Sequence, residues 1–183
     1  KVCLVFLGSC AIEYTCGVWG STFLVNAKGM AVDAAAKILT LYYAGMASGR
    51  FLSGILAYRL HSTQIIRAGQ RLMFFAVILL VLPLPPYAAG AAFFLIGFGN
   101  APVFPNMLHL TPELFGAEKS QTVIGIEMSA SYTSILLAPV VFGWIAQRMQ
   151  IQIFPFYVGA LFALMMSGTV PKPLRHNPSH TKR

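Results

Sequence analysis

Two carboxylates and one guanidinium stand inside long apolar runs of this sequence: Glu13, Arg50 and Glu127. A charge at bilayer depth is costly, and it survives where it pairs, meets a polar ligand or moves a proton. Glu13 shares its helical face with Ser9, Cys10, Cys16, Gly17 and Gly20, all small, so another helix or a bound solute can approach it closely. Two readings of Glu13 stay open: a cavity-lining carboxylate that binds solute or carries a coupling proton, or a protonated or paired group that holds helices together. Arg50 requires a carboxylate, and both Glu127 and Glu113 are candidates at similar depth, between which the sequence does not choose. Gly45, Gly49 and Ser53 form a small-residue stripe beside Arg50, most simply a helix contact.

A second polar interruption is Asn100-Ala101-Pro102-Val103-Phe104-Pro105-Asn106. Its prolines remove backbone donors and predict a kink, and the freed carbonyls need partners or must line a cavity. On one continuous helix, Gly99, Pro102, Asn106 and His109 share a face, which reads either as a gating or solute-lining stripe or as structural kinking alone. Further along, Glu127, Ser131, Ser134 and Ala138 share a face, with Pro139 placed to bend the helix.

Other chemistries are missing their parts. No G-x-x-x-x-G-K-[ST] run is present, which argues against an ATP-driven engine on this chain. No Ser-His-Asp or paired-carboxylate arrangement supports catalysis, and an intramembrane enzyme would need a catalytic pair at matching depth that the sequence does not supply. Cys3, Cys10 and Cys16 all fall in the first apolar run, lack zinc-type spacing, and read as small packing residues. The expectation is an enzyme-free chain with no cofactor and no metal.

The elements that position these groups follow from composition. Of the 183 residues, 57% are hydrophobic and 10% charged, too little polar surface to wrap a water-soluble core, since a soluble domain carries about 25% charged residues. Runs of about 20 apolar residues span a bilayer. They fall at about 2–25, 34–58, 72–86, 88–110, 121–146 and 151–170, giving an all-α membrane bundle of six helices. Asp33 is a candidate N-cap for the second and Ser120 for the fifth. Pro83, Pro85 and Pro86 close the third. Residues 171–183 read as a basic, disordered tail. The chain opens on Lys1 without a signal-peptide pattern, which reads as a truncation point in a longer protein. Three helices followed by three more fit an inverted repeat.

The net charge of +8 would suggest nucleic acid in a soluble protein, but here the basic residues sit between apolar runs and act as topology signals. Lys1, Arg59, Arg67, Arg71, Lys119, Lys172, Arg175, Lys182 and Arg183 fall on one side, and Lys28, Lys37 and Arg148 on the other. The positive-inside rule places both ends and the 59–71 loop in the cytoplasm.

Gly97-Phe-Gly-Asn-Ala-Pro-Val-Phe-Pro-Asn-Met-Leu-His109, followed by Thr111-Pro-Glu-Leu-Phe-Gly116, resembles the tenth helix of fucose-permease-like major facilitator transporters. Ser120-Gln121, Gly125-Ile-Glu-Met128, Pro139 and Phe142-Gly143 resemble the eleventh, Gly49-Arg50-x-x-Ser53-Gly54 the eighth, and Glu13 with Trp19 the seventh. The resemblance runs in order along essentially the whole chain. It implies twelve helices in two six-helix halves, with this chain as the C-terminal half. It also implies a central cavity and alternating-access transport of small solutes, often sugars and commonly with protons. Glu127 stands where many relatives carry Gln, which adds a titratable group.

The combined expectation is a secondary transporter in the cell (plasma) membrane, carrying a sugar or related metabolite with a proton as co-substrate. Its partners would be the lipid bilayer and the missing N-terminal six-helix half, with no nucleic acid. Glu13, Trp19, Asn100, Asn106 and Tyr132 are expected to line the solute cavity, and Arg50, Glu127 and His109 to serve coupling or gating. The alternative is a non-transporting membrane scaffold or receptor whose buried polar residues only hold helices together.

Overall fold

In the computed structural model, which describes residues 1–82 and 85–168, the chain forms seven α-helices among those residues. They are α1 (Val2–Lys28), α2 (Val32–Leu56), α3 (Ser62–Val81), α4 (Pro86–Asn100), α5 (Val103–Phe115), α6 (Ala117–Met149) and α7 (Phe154–Ser167), the last preceded by a single 3-10 turn at Ile151–Ile153. α4 and α5 are two parts of one bent unit, so the bundle has the all-α, six-helix architecture expected. By length and composition, α1, α3, the α4–α5 unit and α6 are each apolar enough to cross a membrane, while α7 is apolar but shorter. α2 is diluted by Thr40, Ser48, Arg50 and Ser53.

The packing has an internal symmetry. The second span packs on the fourth as the fifth packs on the first; the third packs on the fourth as the sixth packs on the first; the third and sixth meet each other. Moving three spans along the chain maps each pairing onto another. Successive spans alternate in direction, so partners three apart run oppositely, as an inverted repeat requires.

Helix ends depart from expectation for local reasons. α1 stops where Gly29 takes φ 65°, with Met30 N–H donating to the Leu24 carbonyl, a left-handed cap suited to glycine. Asp33 lies in the first turn of α2, after Ala31 as cap. Its charge faces the positive end of the helix instead of capping it. α3 begins at Ser62, ten residues before the expected span, because Ile65, Ile66, Gly69, Gln70 and Met73 keep one buried face through the Arg-bearing stretch. His61 caps it, its Nδ1 accepting from Thr63 N–H while Gln64 Oε1 accepts from His61 N–H. Pro86 is not the end of α3; it opens α4, where a missing N–H costs nothing. α6 starts at Ala117 after Gly116 (φ 82°), so Ser120 is already inside it, with its hydroxyl donating to the Ala117 carbonyl. The proposed closure of α3 by Pro83, the end of the sixth span at 169–170 and the basic tail 171–183 all lie outside the described residues.

Close helix contacts rest on the small residues. A Cβ at Gly45 would meet the Phe94 carbonyl and one at Gly49 the Phe98 carbonyl, so α2 and α4 approach backbone to backbone. The Gly45–Gly49 stripe is therefore a helix contact. Gly45→Ala is expected to force the two helices apart and cost about 1 kcal/mol or more, the lower end of overpacking penalties. Thermal unfolding of the purified protein checks this, and an unchanged midpoint would contradict the packing. At one end of the bundle Phe154 joins the helices, stacking on Phe23 at 4.8 Å and meeting Phe142 edge-on at 5.4 Å.

Candidate functional site

The charges at depth come together in a way the sequence did not reveal. Arg50 Nη2 lies 3.3 Å from Glu13 Oε1, an ion pair bridging α2 and α1. Glu113 and Glu127, the two carboxylates expected to serve Arg50, have other partners. Glu113 Oε2 lies 3.4 Å from His61 Nε2, linking the start of α3 to the end of α5. With His61 Nδ1 accepting at the helix cap, the ring proton sits on Nε2, the nitrogen nearer the carboxylate.

The reason lies in the α1–α2 hairpin. Glu13 is 16 residues before Gly29 and Arg50 is 19 residues after Ala31, so at 1.5 Å per residue they stand roughly 24 and 28 Å from the same turn. Two turns before Arg50, Tyr42 points to the same neighbour, its hydroxyl donating to the Glu13 carbonyl at 3.1 Å. The pair is only partly covered: the Arg50 side chain is 56% exposed and that of Glu13 23%. The guanidinium has five N–H donors, and among the described residues one side-chain hydrogen bond engages it.

The small face around Glu13 is largely filled by neighbouring helices. A Cβ at Gly17 would touch the Tyr43 hydroxyl, and one at Gly20 the Phe93 ring. Ser9 is 1% exposed and pairs reciprocally with Asn100: its hydroxyl donates to Asn100 Oδ1 at 2.8 Å, and Asn100 Nδ2 donates to the Ser9 carbonyl at 3.0 Å.

Along the stripe of Gly99, Pro102, Asn106 and His109 the first three are buried and His109 is exposed, and a turn at Ala101-Pro102, whose backbone stays right-handed, separates α4 from α5. Asn106, 6% exposed, donates to both Ser53 Oγ and the Pro102 carbonyl at 2.8 Å, stitching the break to α2. Pro105 is the third residue of α5, where no intrahelical N–H bond is lost. His109 stays exposed. Trp19 Nε1 donates to the Pro139 carbonyl at 2.9 Å, and its ring lies where Gly143 leaves room, which joins α1 to the proline region of α6. Tyr132, 62% exposed, lies on the outer face of α6.

Glu127 is fully buried, ten residues into α6 and so about 15 Å from its start, deeper than expected because the helix begins earlier. Both its carboxyl oxygens lie within 3.0 Å of Thr111 Oγ1, which is also 3.2 Å from the Met107 carbonyl. One hydroxyl proton cannot serve all three acceptors. Among the described residues no cation faces Glu127. Thr111→Val leaves this carboxyl without its hydroxyl partner and is expected to destabilise the protein by about 1–3 kcal/mol. The drop should appear in thermal unfolding and shrink in a Glu127→Leu background; equal losses in both backgrounds would contradict the pairing.

Sequence reasoning missed Ser9, Thr111 and Tyr42. Tyr42 had a signal in its two-turn spacing from Arg50, whereas Ser9 and Thr111 gain their partners only through tertiary packing.

The family model described as Major Facilitator Superfamily matches residues 2–183 of this chain. No curated protein matches it.

Proposed function

The chain belongs to the Major Facilitator Superfamily, and from that premise we propose that it is the C-terminal six-helix half of a fucose-permease-like transporter. It carries a small organic solute, a sugar or related metabolite, by alternating access with proton coupling. Membrane transport of a small solute comes with membership of the family, which is a transporter family and not an enzymatic one. The finer reading rests on one observation above the rest: an ion pair within the bundle, Glu13 with Arg50, that is incompletely covered and has unused donors.

Such a pair has two useful arrangements. With Glu13 ionised, Arg50 is held on it. With Glu13 protonated, or with a polar solute offering oxygens to the guanidinium, the pair opens and the energy of the α1–α2 contact changes. That couples a proton, a solute and a helix contact at one point. Tyr132 and His109, both exposed, are proposed to reach the solute path from α6 and α5. Glu127, buried against Thr111, is proposed as a second proton-holding group in the wall. Trp19, Asn100 and Asn106 are already engaged with neighbouring helices, and the proposal gives them the task of fixing the cavity walls. Those three locks, with the bridging of α1 to α2 by Glu13 and Arg50, are what favours the scaffold alternative, while the open guanidinium with its unused donors favours transport.

The solute class is tested by counter-flow: the full-length protein in proteoliposomes preloaded with each sugar of a panel. Accelerated uptake of at least one labelled sugar is expected, and none across the panel would remove sugars from the proposal.

Both ends and residues 59–71 are proposed to face the cytoplasm of a cell (plasma) membrane, from the bias of Lys and Arg. Gln64, exposed at the start of α3, and Lys28, at the opposite end of the bundle, are suitable reporters. In a Cys-free full-length protein, Gln64→Cys should resist an impermeant thiol reagent in intact cells while Lys28→Cys reacts. Labelling of both would contradict the topology.

A further inference from the structure

α3 carries an exposed stripe that begins basic and continues apolar: Arg67, Arg71, Phe74, Phe75 and Ile78, at spacings that share one helical face. This stripe forms one wall of a groove of about 860 Å³ between α3 and α7. The opposite wall is Gly159, Phe162, Ala163 and Met166 of α7, where the two small residues leave the depression between the larger ones. The groove lies apart from Glu13 and Arg50: its lining residues come from α3 and the α7 end, and none belongs to α1 or α2.

Three polar side chains gather at one end of it. Arg67 and Arg71 are one turn apart, about 5–6 Å between their Cβ atoms, and among the described residues neither has a carboxylate within salt-bridge reach. Gln70, 7% exposed, lines the same end and makes no side-chain hydrogen bond among the described residues. In the proposed topology Arg67 and Arg71 stand at the cytoplasmic end of α3, the level at which lipid headgroups lie. The rest of the groove is aromatic and aliphatic and offers nothing to a free, fully hydrated anion.

We propose that this groove is a binding site for one anionic glycerophospholipid, with its phosphate on Arg67 and Arg71, its headgroup or ester oxygens on the Gln70 amide, and an acyl chain along Phe74, Ile78, Phe162 and Met166. The arrangement matches the chemistry of such a lipid in order: paired cations recognise phosphate oxygens, and the apolar channel leading from them takes the chain. This site is independent of the solute path and stands whether or not the transport reading does.

The test uses the full-length protein, stripped of lipid in detergent and offered phosphatidylglycerol and phosphatidylcholine with identical acyl chains, with retained lipid measured by native mass spectrometry. The parent should retain phosphatidylglycerol about thirtyfold better, the preference expected where two arginines meet a net negative headgroup whose charge phosphatidylcholine cancels with its choline. Arg67→Gln with Arg71→Gln should bring the ratio close to one, and Arg59→Gln, outside the groove, should leave it at the parent value. Ala163→Phe, which fills the channel and keeps both arginines, should reduce retention of both lipids. Equal retention of the two lipids by the parent overturns the proposal, as does a preference that survives the double substitution, or a lipid-free second copy of the chain in place of the lipid. Should the double variant fail to fold, Ala163→Phe decides the matter: undiminished phosphatidylglycerol on a filled groove overturns it.

Discussion

Arg50→Ala is expected to destabilise the protein by about 1 kcal/mol or more, the upper end for an ion pair that is only partly covered. Most of that penalty belongs to the carboxylate left behind, not to the lost attraction. Among the described residues no other cation reaches Glu13, so it is left either charged and unpaired or forced to take up a proton, and both cost stability. The 56% exposure of the Arg50 side chain keeps the value modest, because water on the open side of the pair screens it. The measurement is a double-substitution cycle in detergent: Arg50→Ala, Glu13→Gln and the two combined. Glu13→Gln removes the stranded charge, so the combined variant should recover much of what Arg50→Ala loses, with a coupling of at least about 1 kcal/mol. Glu127→Gln and Glu113→Gln should rescue nothing, since those carboxylates contact Thr111 and His61. Additive losses would mean that the pair contributes nothing.

The membrane bundle was legible in the sequence because its signal is local. Twenty apolar residues in a row specify a span whatever they pack against, and Pro102 announces a break wherever it lies. Helix ends were less legible. The start of α3 hides among polar residues, and only the buried face through Ile65, Ile66 and Gly69 gives it away. The partner of Arg50 was the main error. Similar depth pointed to Glu113 and Glu127; counting from the α1–α2 turn, which both helices share, brings Glu13 level with Arg50. A hairpin turn is a better origin than a loop of uncertain length. The fate of Asn100 and Asn106 was not legible, because a buried amide looks the same in sequence whether it faces a solute or the hydroxyl of Ser9 or Ser53.

The second large effect is functional and concerns Glu13 alone. Glu13→Gln keeps the size and hydrogen-bonding capacity of the side chain and removes its titration. If the carboxylate couples a proton to solute movement, the variant still binds solute and exchanges it across the membrane at equal concentrations, because neither process needs net proton transfer. Uphill accumulation driven by a pH gradient should fall to the equilibrium level. A residue that only hydrogen-bonds solute gives a different pattern, with exchange and accumulation weakening together. The decisive measurement is therefore made on full-length parent and Glu13→Gln proteins in the same proteoliposomes, with a solute identified by counter-flow. Equilibrium exchange and accumulation under an imposed pH gradient are read side by side. Exchange within about twofold of the parent, a change of under 1 kcal/mol, and no accumulation above equilibrium are expected; accumulation equal to the parent at every pH would contradict proton coupling through Glu13.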